Sequence, residues 1–118
     1  MTHDGPPIPN LPPVVQPSEV AARIAAGETL HLLDVREPHE NAFVALPGST
    51  LIPLGDLPER TPEIAPWAGR EIIVYCHHGV RSAHAVAWLR SQGFSGARNL
   101  SGGIDRWSME VDAGLARY

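Results

Sequence analysis

Cysteine, arginine and serine fall at close spacing in one short stretch, Cys76-His77-His78-Gly79-Val80-Arg81-Ser82. Those residue types at that spacing can activate a nucleophile. Cys76 is the only cysteine among 118 residues. The apolar run Ile72-Ile73-Val74-Tyr75 before it reads as a strand and the segment from Ser82 as a helix, so the thiol stands where a strand hands over to a helix. Backbone N–H groups of the intervening loop can turn inward around the sulfur, with Gly79 permitting the tight curvature. The helix N-terminus adds about half a positive charge, and Arg81 adds a full one. Each favours thiolate over thiol, so Cys76 is expected to have a depressed pKa and to be nucleophilic at neutral pH. The same cradle suits a small anion. A lone cysteine is commonly an inert core residue, but a strand-end position ahead of a polar loop favours the nucleophile.

The neighbouring histidines can be read in two ways. His77 and His78 are either hydrogen-bond donors at a pocket mouth, partly charged at neutral pH, or simply a polar loop. No metal site is expected. Cys76, His77 and His78 are consecutive and cannot all point at one ion, and no paired spacing occurs among His3, His31, His39 and His84. Those four read as solvated or structural.

The rest of the chain must hold this loop in place. Its length fits one domain able to bury its own core. Hydrophobic residues at 43% and charged residues at 19% are ordinary for a globular protein. A single cysteine forms no internal disulfide, no apolar run is long enough to span a bilayer, and the first residues lack signal-peptide character. Cytoplasm is therefore the default location. A net charge of −4 argues against nonspecific binding to nucleic acid or an anionic membrane.

Residues 1–13 carry prolines 6, 7, 9, 12 and 13 and are expected to form an extended arm, with the folded domain covering 14–118. Val14-Val15 can start a strand, and Pro17-Ser18 opens a helix over 19–26 with Gly27 as its C-terminal cap. Residues 30–35 read as a buried strand and Leu51-Ile52 as a short one. The prolines between Pro53 and Trp67 allow only short helices. The spacing then predicts a helix over 82–92 ended by Gly93, a strand at 98–100 and a helix from Ile104. Short apolar strands alternating with helices define an α/β domain, with a mostly parallel sheet covered by helices on both faces.

Three motifs, in order, resemble the rhodanese family of single-domain sulfurtransferases. The loop from Cys76 to Ser82 is similar to that family's active-site loop. Leu32-Leu33-Asp34-Val35-Arg36-Glu37-Pro38-His39-Glu40 resembles its early strand and Asp-x-Arg signature. Leu100-Ser101-Gly102-Gly103-Ile104-Asp105-Arg106-Trp107 resembles its closing glycine pair and tryptophan. The resemblance implies that Cys76 attacks the outer sulfur of an anionic donor such as thiosulfate, becomes a persulfide, and passes the sulfur to cyanide or a thiol. It implies that the loop residues His77, His78, Gly79, Val80 and Ser82, together with Arg81, hold the donor. Ser82 can donate its hydroxyl or cap the helix, and capping is the expected role. Asp34 is expected behind the pocket, paired with Arg81 or Arg36. No cofactor is implied. Where the family usually has a histidine before the Pro-Gly turn, this chain has Ala45 ahead of Pro47-Gly48, which predicts altered packing rather than lost activity.

Two other readings compete. A Cdc25-like phosphatase shares the fold, but its loop is longer by a residue. Here four residues, His77 to Val80, separate cysteine from arginine, a tighter cradle suited to sulfur. A sulfur-carrier or binding module serving a partner protein is the other. The segment from Trp107 to Tyr118 resembles the ending of rhodanese domains fused to ubiquitin-like-activating adenylyltransferases, which implies a sulfur-acceptor protein as partner.

Overall fold

The computed structural model describes residues 11–118. Five short strands form one sheet, and every neighbouring pair runs parallel: β1 (Val14–Val15), β2 (His31–Asp34), β3 (Thr50–Leu51), β4 (Ile72–Tyr75) and β5 (Ala97–Leu100), in the order β1-β5-β4-β2-β3. The central strand β4 is fully buried, as an unbroken apolar run in a parallel sheet should be.

Alternation along β4 builds two cores. Ile72, Val74 and Cys76 join Leu33, Val35, Ile64, Ala85 and Leu89 on one face, under α3 (Leu57–Arg60) and α4 (Val80–Ser91). Ile73 and Tyr75 join Val20, Leu32, Leu100, Ile104 and Trp107 on the other, under α1 (Pro17–Ala25) and α5 (Gly103–Glu110). The expected α/β sandwich is the observed one.

Differences from expectation are local. The sequence pattern does not predict the short helix α2 (Pro38–Phe43). It forms because Pro38 presets the first turn, and because Glu37 and Glu40 cap each other's backbone. Helix α4 begins at Val80, two residues earlier than the pattern predicts, because Gly79 takes a left-handed turn (φ 108°) that brings the chain into helix at once. Residues 1–10 of the expected arm lie outside the described residues. In its last part, the carbonyls of Leu11, Pro12 and Pro13 accept hydrogen bonds from Arg90, Arg98 and the Asn99 backbone, so the chain is held to the sheet edge before β1 begins.

Candidate active site

The C-terminal ends of β2 and β4 and the N-termini of α4 and α5 meet at one end of the sheet, where open α/β folds bind ligands. Cys76 follows β4 directly and is only 1% exposed. Its sulfur accepts hydrogen bonds from Gly79 N–H at 3.1 Å and Ser82 N–H at 3.4 Å, and the Ser82 hydroxyl, which also reaches Asn99, lies within donating distance at 3.3 Å. The loop therefore does turn its N–H groups inward.

The carbonyls of the same loop point the other way. Ile104 N–H donates to Cys76 O at 2.9 Å and Asp105 N–H to His77 O at 3.1 Å. The first turn of α5 thus takes up the first two carbonyls of the loop and leaves the loop's N–H donors for the sulfur. This contact requires Gly103 (φ 63°): a Cβ there would run into the carbonyl oxygens of Cys76 and His77.

Burial pushes the Cys76 thiol up, but the Ser82 hydroxyl, the Ser82 and Gly79 N–H groups and the His78 backbone more than offset it, leaving the pKa below the ordinary value. Hydrogen bonds, rather than the nearby Arg81 charge, supply the largest stabilising contributions.

Arg81 and Glu40 form a bidentate ion pair at 2.6 and 2.9 Å. Arg81 therefore does not pair with Asp34, whose partner is Arg36. Both members of that pair are fully buried, with Arg36 Nε and Nη2 donating to the Asp34 carboxylate at 2.9 and 2.7 Å. Asp34 also accepts from Asn41 and the Tyr75 hydroxyl. Arg36 further donates to Val44 O and the Tyr118 hydroxyl. These groups tie α2 to the ends of β2 and β4. Glu40, which the sequence reading did not single out, caps α2, grips Arg81 and accepts the Tyr118 hydroxyl at 2.7 Å. The Pro38-His39-Glu40 spacing carried the signal for it, as a proline followed by an N3 glutamate.

Ser82 is not a helix cap. It lies inside the first turn of α4, wholly buried, and its hydroxyl reaches Cys76 and Asn99 instead. His78 is 63% exposed, with Nε2 at 3.6 Å from Asp105. His77 stacks against Tyr118 at 3.9 Å. Burial, followed by the neighbouring His78, lowers its pKa, so His77 carries less charge at neutral pH than an ordinary histidine. Its Nε2 is buried without a hydrogen-bond partner. Among the described residues, His77, His78 and Asp105 bring donor atoms within 4.8 Å of one another, a grouping not foreseen from spacing. Both Asp105 oxygens already meet the Arg117 guanidinium, at 2.9 and 3.3 Å. The Pro47-Gly48 turn after Ala45 is secured by Tyr75, whose hydroxyl accepts Leu46 N–H at 3.1 Å and bonds Ser49 at 2.9 Å.

Glu40 makes a pH prediction. Its hydrogen bonds from Arg81 hold its carboxyl well below the usual range, against the opposing effect of burial. A depressed pKa stabilises the fold fully above the ordinary value of 4.5, and that stabilisation is lost as pH falls towards the folded value. The difference in thermal midpoint between wild type and Glu40→Gln should therefore be full at neutral pH and shrink in acid. A difference independent of pH would show that the charge is not what Glu40 contributes.

An all-parallel sheet with a cysteine cradled at the end of its central strand defines the class: the chain belongs to the rhodanese-like domain family, whose description matches residues 16–110. It is 34% identical over 94 residues to a sulfurtransferase of Allochromatium vinosum, covering 80% of this chain and 86% of that protein. It is also 34% identical over 109 residues to the probable adenylyltransferase/sulfurtransferase MoeZ of Mycobacterium tuberculosis, covering 88% of this chain but only 26% of MoeZ. Among solved structures, the human single-domain sulfurtransferase TSTD1 matches with a TM-score of 0.71 and 27% identity, over 84% of this chain and 97% of that one. No helix among the described residues is long and apolar enough to cross a membrane.

Proposed function

We propose that this protein moves a sulfane sulfur from an anionic donor such as thiosulfate, through a persulfide on Cys76, to a thiol acceptor or cyanide. The observation that carries this reading is the ring of donors from Gly79 and Ser82 on a buried Cys76 sulfur. The Cys76 thiolate attacks the outer sulfur of thiosulfate, a new S–S bond forms, the donor's S–S bond breaks, and its electron pair leaves on sulfite. The acceptor thiolate then attacks the outer persulfide sulfur and returns Cys76 to the thiolate. Arg81 commits one N–H of each terminal nitrogen to Glu40 and keeps the remaining N–H groups of its fork for the donor anion. Incubation with thiosulfate should add one sulfur to the protein, about 32 Da by mass spectrometry, removable by cyanide or dithiothreitol. No added mass would refute the reading.

Arg81 should matter more to turnover than His77. It supplies a fixed charge to the anion, whereas the lowered pKa of His77 leaves it less charge than an ordinary histidine. Its loss should cost about 2–4 kcal/mol of transition-state stabilisation. Comparing kcat/KM for Arg81→Ala and His77→Ala checks this, and a larger loss at His77 would move the anion to the other side of the mouth.

The short loop also argues against phosphoryl chemistry. The wild type should hydrolyse p-nitrophenyl phosphate no faster than Cys76→Ala. A sulfur-acceptor protein is the recipient we favour inside a cell. Similarity to MoeZ supports it, as do exposed apolar groups on elements that build the site, Val80 at 69% and Phe43 at 59%.

A further inference from the structure

Asn99 lies on β5, outside the catalytic loop, and no motif connects it with the thiol. Its carboxamide is held at both ends. Nδ2 donates to Gly79 O at 3.1 Å, and the Ser82 hydroxyl donates to Oδ1 at 2.6 Å. The first contact fixes the orientation of the amide, because a carbonyl oxygen only accepts. Oδ1 must therefore face Ser82.

The same hydroxyl lies 3.3 Å from Cys76 Sγ. A hydroxyl has a single proton to donate, so Asn99 and the sulfur compete for it. The 2.6 Å contact to Asn99 is a short O–H···O bond to a better acceptor than a thiol. In the thiol form the proton belongs to Asn99, and the Ser82 oxygen presents its lone pairs to the sulfur. As negative charge gathers on sulfur, the hydroxyl turns towards it, since hydrogen bonds to charged groups are the stronger.

We infer that Asn99 is a positioning residue for the thiol: it holds the Ser82 proton back until Cys76 is charged, and so limits how readily the thiolate forms. A thiolate stabilised too far is a poorer nucleophile, so a donor held in reserve favours attack. The inference rests on Cys76 being the reactive thiol, but not on any sulfur donor. The charged and titratable groups around this mouth are Arg81 on α4, Glu40 on α2, His77 and His78 in the loop, Asp105 on α5, and Tyr118. Replacing Asn99 alters none of them.

The test is the pH dependence of Cys76 alkylation by iodoacetamide, which needs no sulfur donor and so stands or falls separately from sulfur transfer. Asn99→Leu, which keeps the branching of the side chain but cannot accept a hydrogen bond, should free the hydroxyl and shift the profile to lower pH, raising the rate on its acidic limb about threefold. In a Ser82→Ala background the same substitution should leave the profile where it is. No shift, a shift to higher pH, or an equal shift in both backgrounds would overturn the inference. Should Asn99→Leu fail to fold by circular dichroism, Asn99→Asp serves. Its carboxylate grips the proton harder, so the profile should move to higher pH, and by more with Ser82 present than without it. An equal move in both backgrounds would again overturn it.

Discussion

Cys76→Ser is expected to lose sulfur transfer down to the background rate while remaining folded. The chain has no other thiol, and a serine hydroxyl is too weakly acidic to be activated by the donors that serve a sulfur. Those donors come from the backbone of Gly79 and Ser82 and from the Ser82 hydroxyl, so the substitution leaves the cradle standing. A circular dichroism spectrum and melting curve close to wild type should accompany a thiosulfate:cyanide assay at background. Mass spectrometry of the variant after thiosulfate treatment should show no added sulfur. Transfer by Cys76→Ser, or an added sulfur on it, would remove the persulfide from the mechanism.

The largest effect on stability is expected from Arg36. Its guanidinium and the Asp34 carboxylate are both wholly inaccessible to solvent. Removing the cation strands a buried carboxylate, and such half-broken pairs typically cost about 3–5 kcal/mol. That is a large part of the roughly 5–15 kcal/mol that holds a domain together. Arg36→Met should therefore shift the urea unfolding midpoint strongly downward. Its loss also releases Val44 O and the Tyr118 hydroxyl, which loosens α2. The double variant Asp34→Leu/Arg36→Met should recover part of the loss, because it leaves no unpaired charge behind. A midpoint for Arg36→Met within error of wild type would mean that water reaches Asp34 and the pair is not buried in solution.

Much of this is legible in the chain, and most of what is not shares a cause. β4 was read to the residue, because an unbroken Ile-Ile-Val-Tyr run bounded by polar residues has few other uses. The cradle could be inferred because its three parts, strand end, glycine and helix start, are neighbours in sequence. What could not be read was pairing across distance. Arg81 had several carboxylates to choose from, and only the fold brings it to Glu40, 41 residues away. Asn99 looks like an ordinary strand residue until β5 sets it beside α4. The role of Ser82 depends on where α4 starts, which a single positive φ at Gly79 decides. Tyr118 carries only a family likeness in the sequence, while its contacts with His77, Glu40 and Arg36 are tertiary.

The contact between α5 and the loop carbonyls has a consequence for synthesis. The chain leaves the ribosome N-terminus first, so Cys76 and every donor around it emerge before the helix that turns the loop the right way. Until Ile104 and Asp105 are available to bind the carbonyls of Cys76 and His77, the inward arrangement of N–H groups is not enforced. A cysteine without those inward donors has an ordinary thiol's slow reaction with oxidants. Reactivity then follows the docking of α5, when the domain closes as a unit and the sulfur is already beneath its cover.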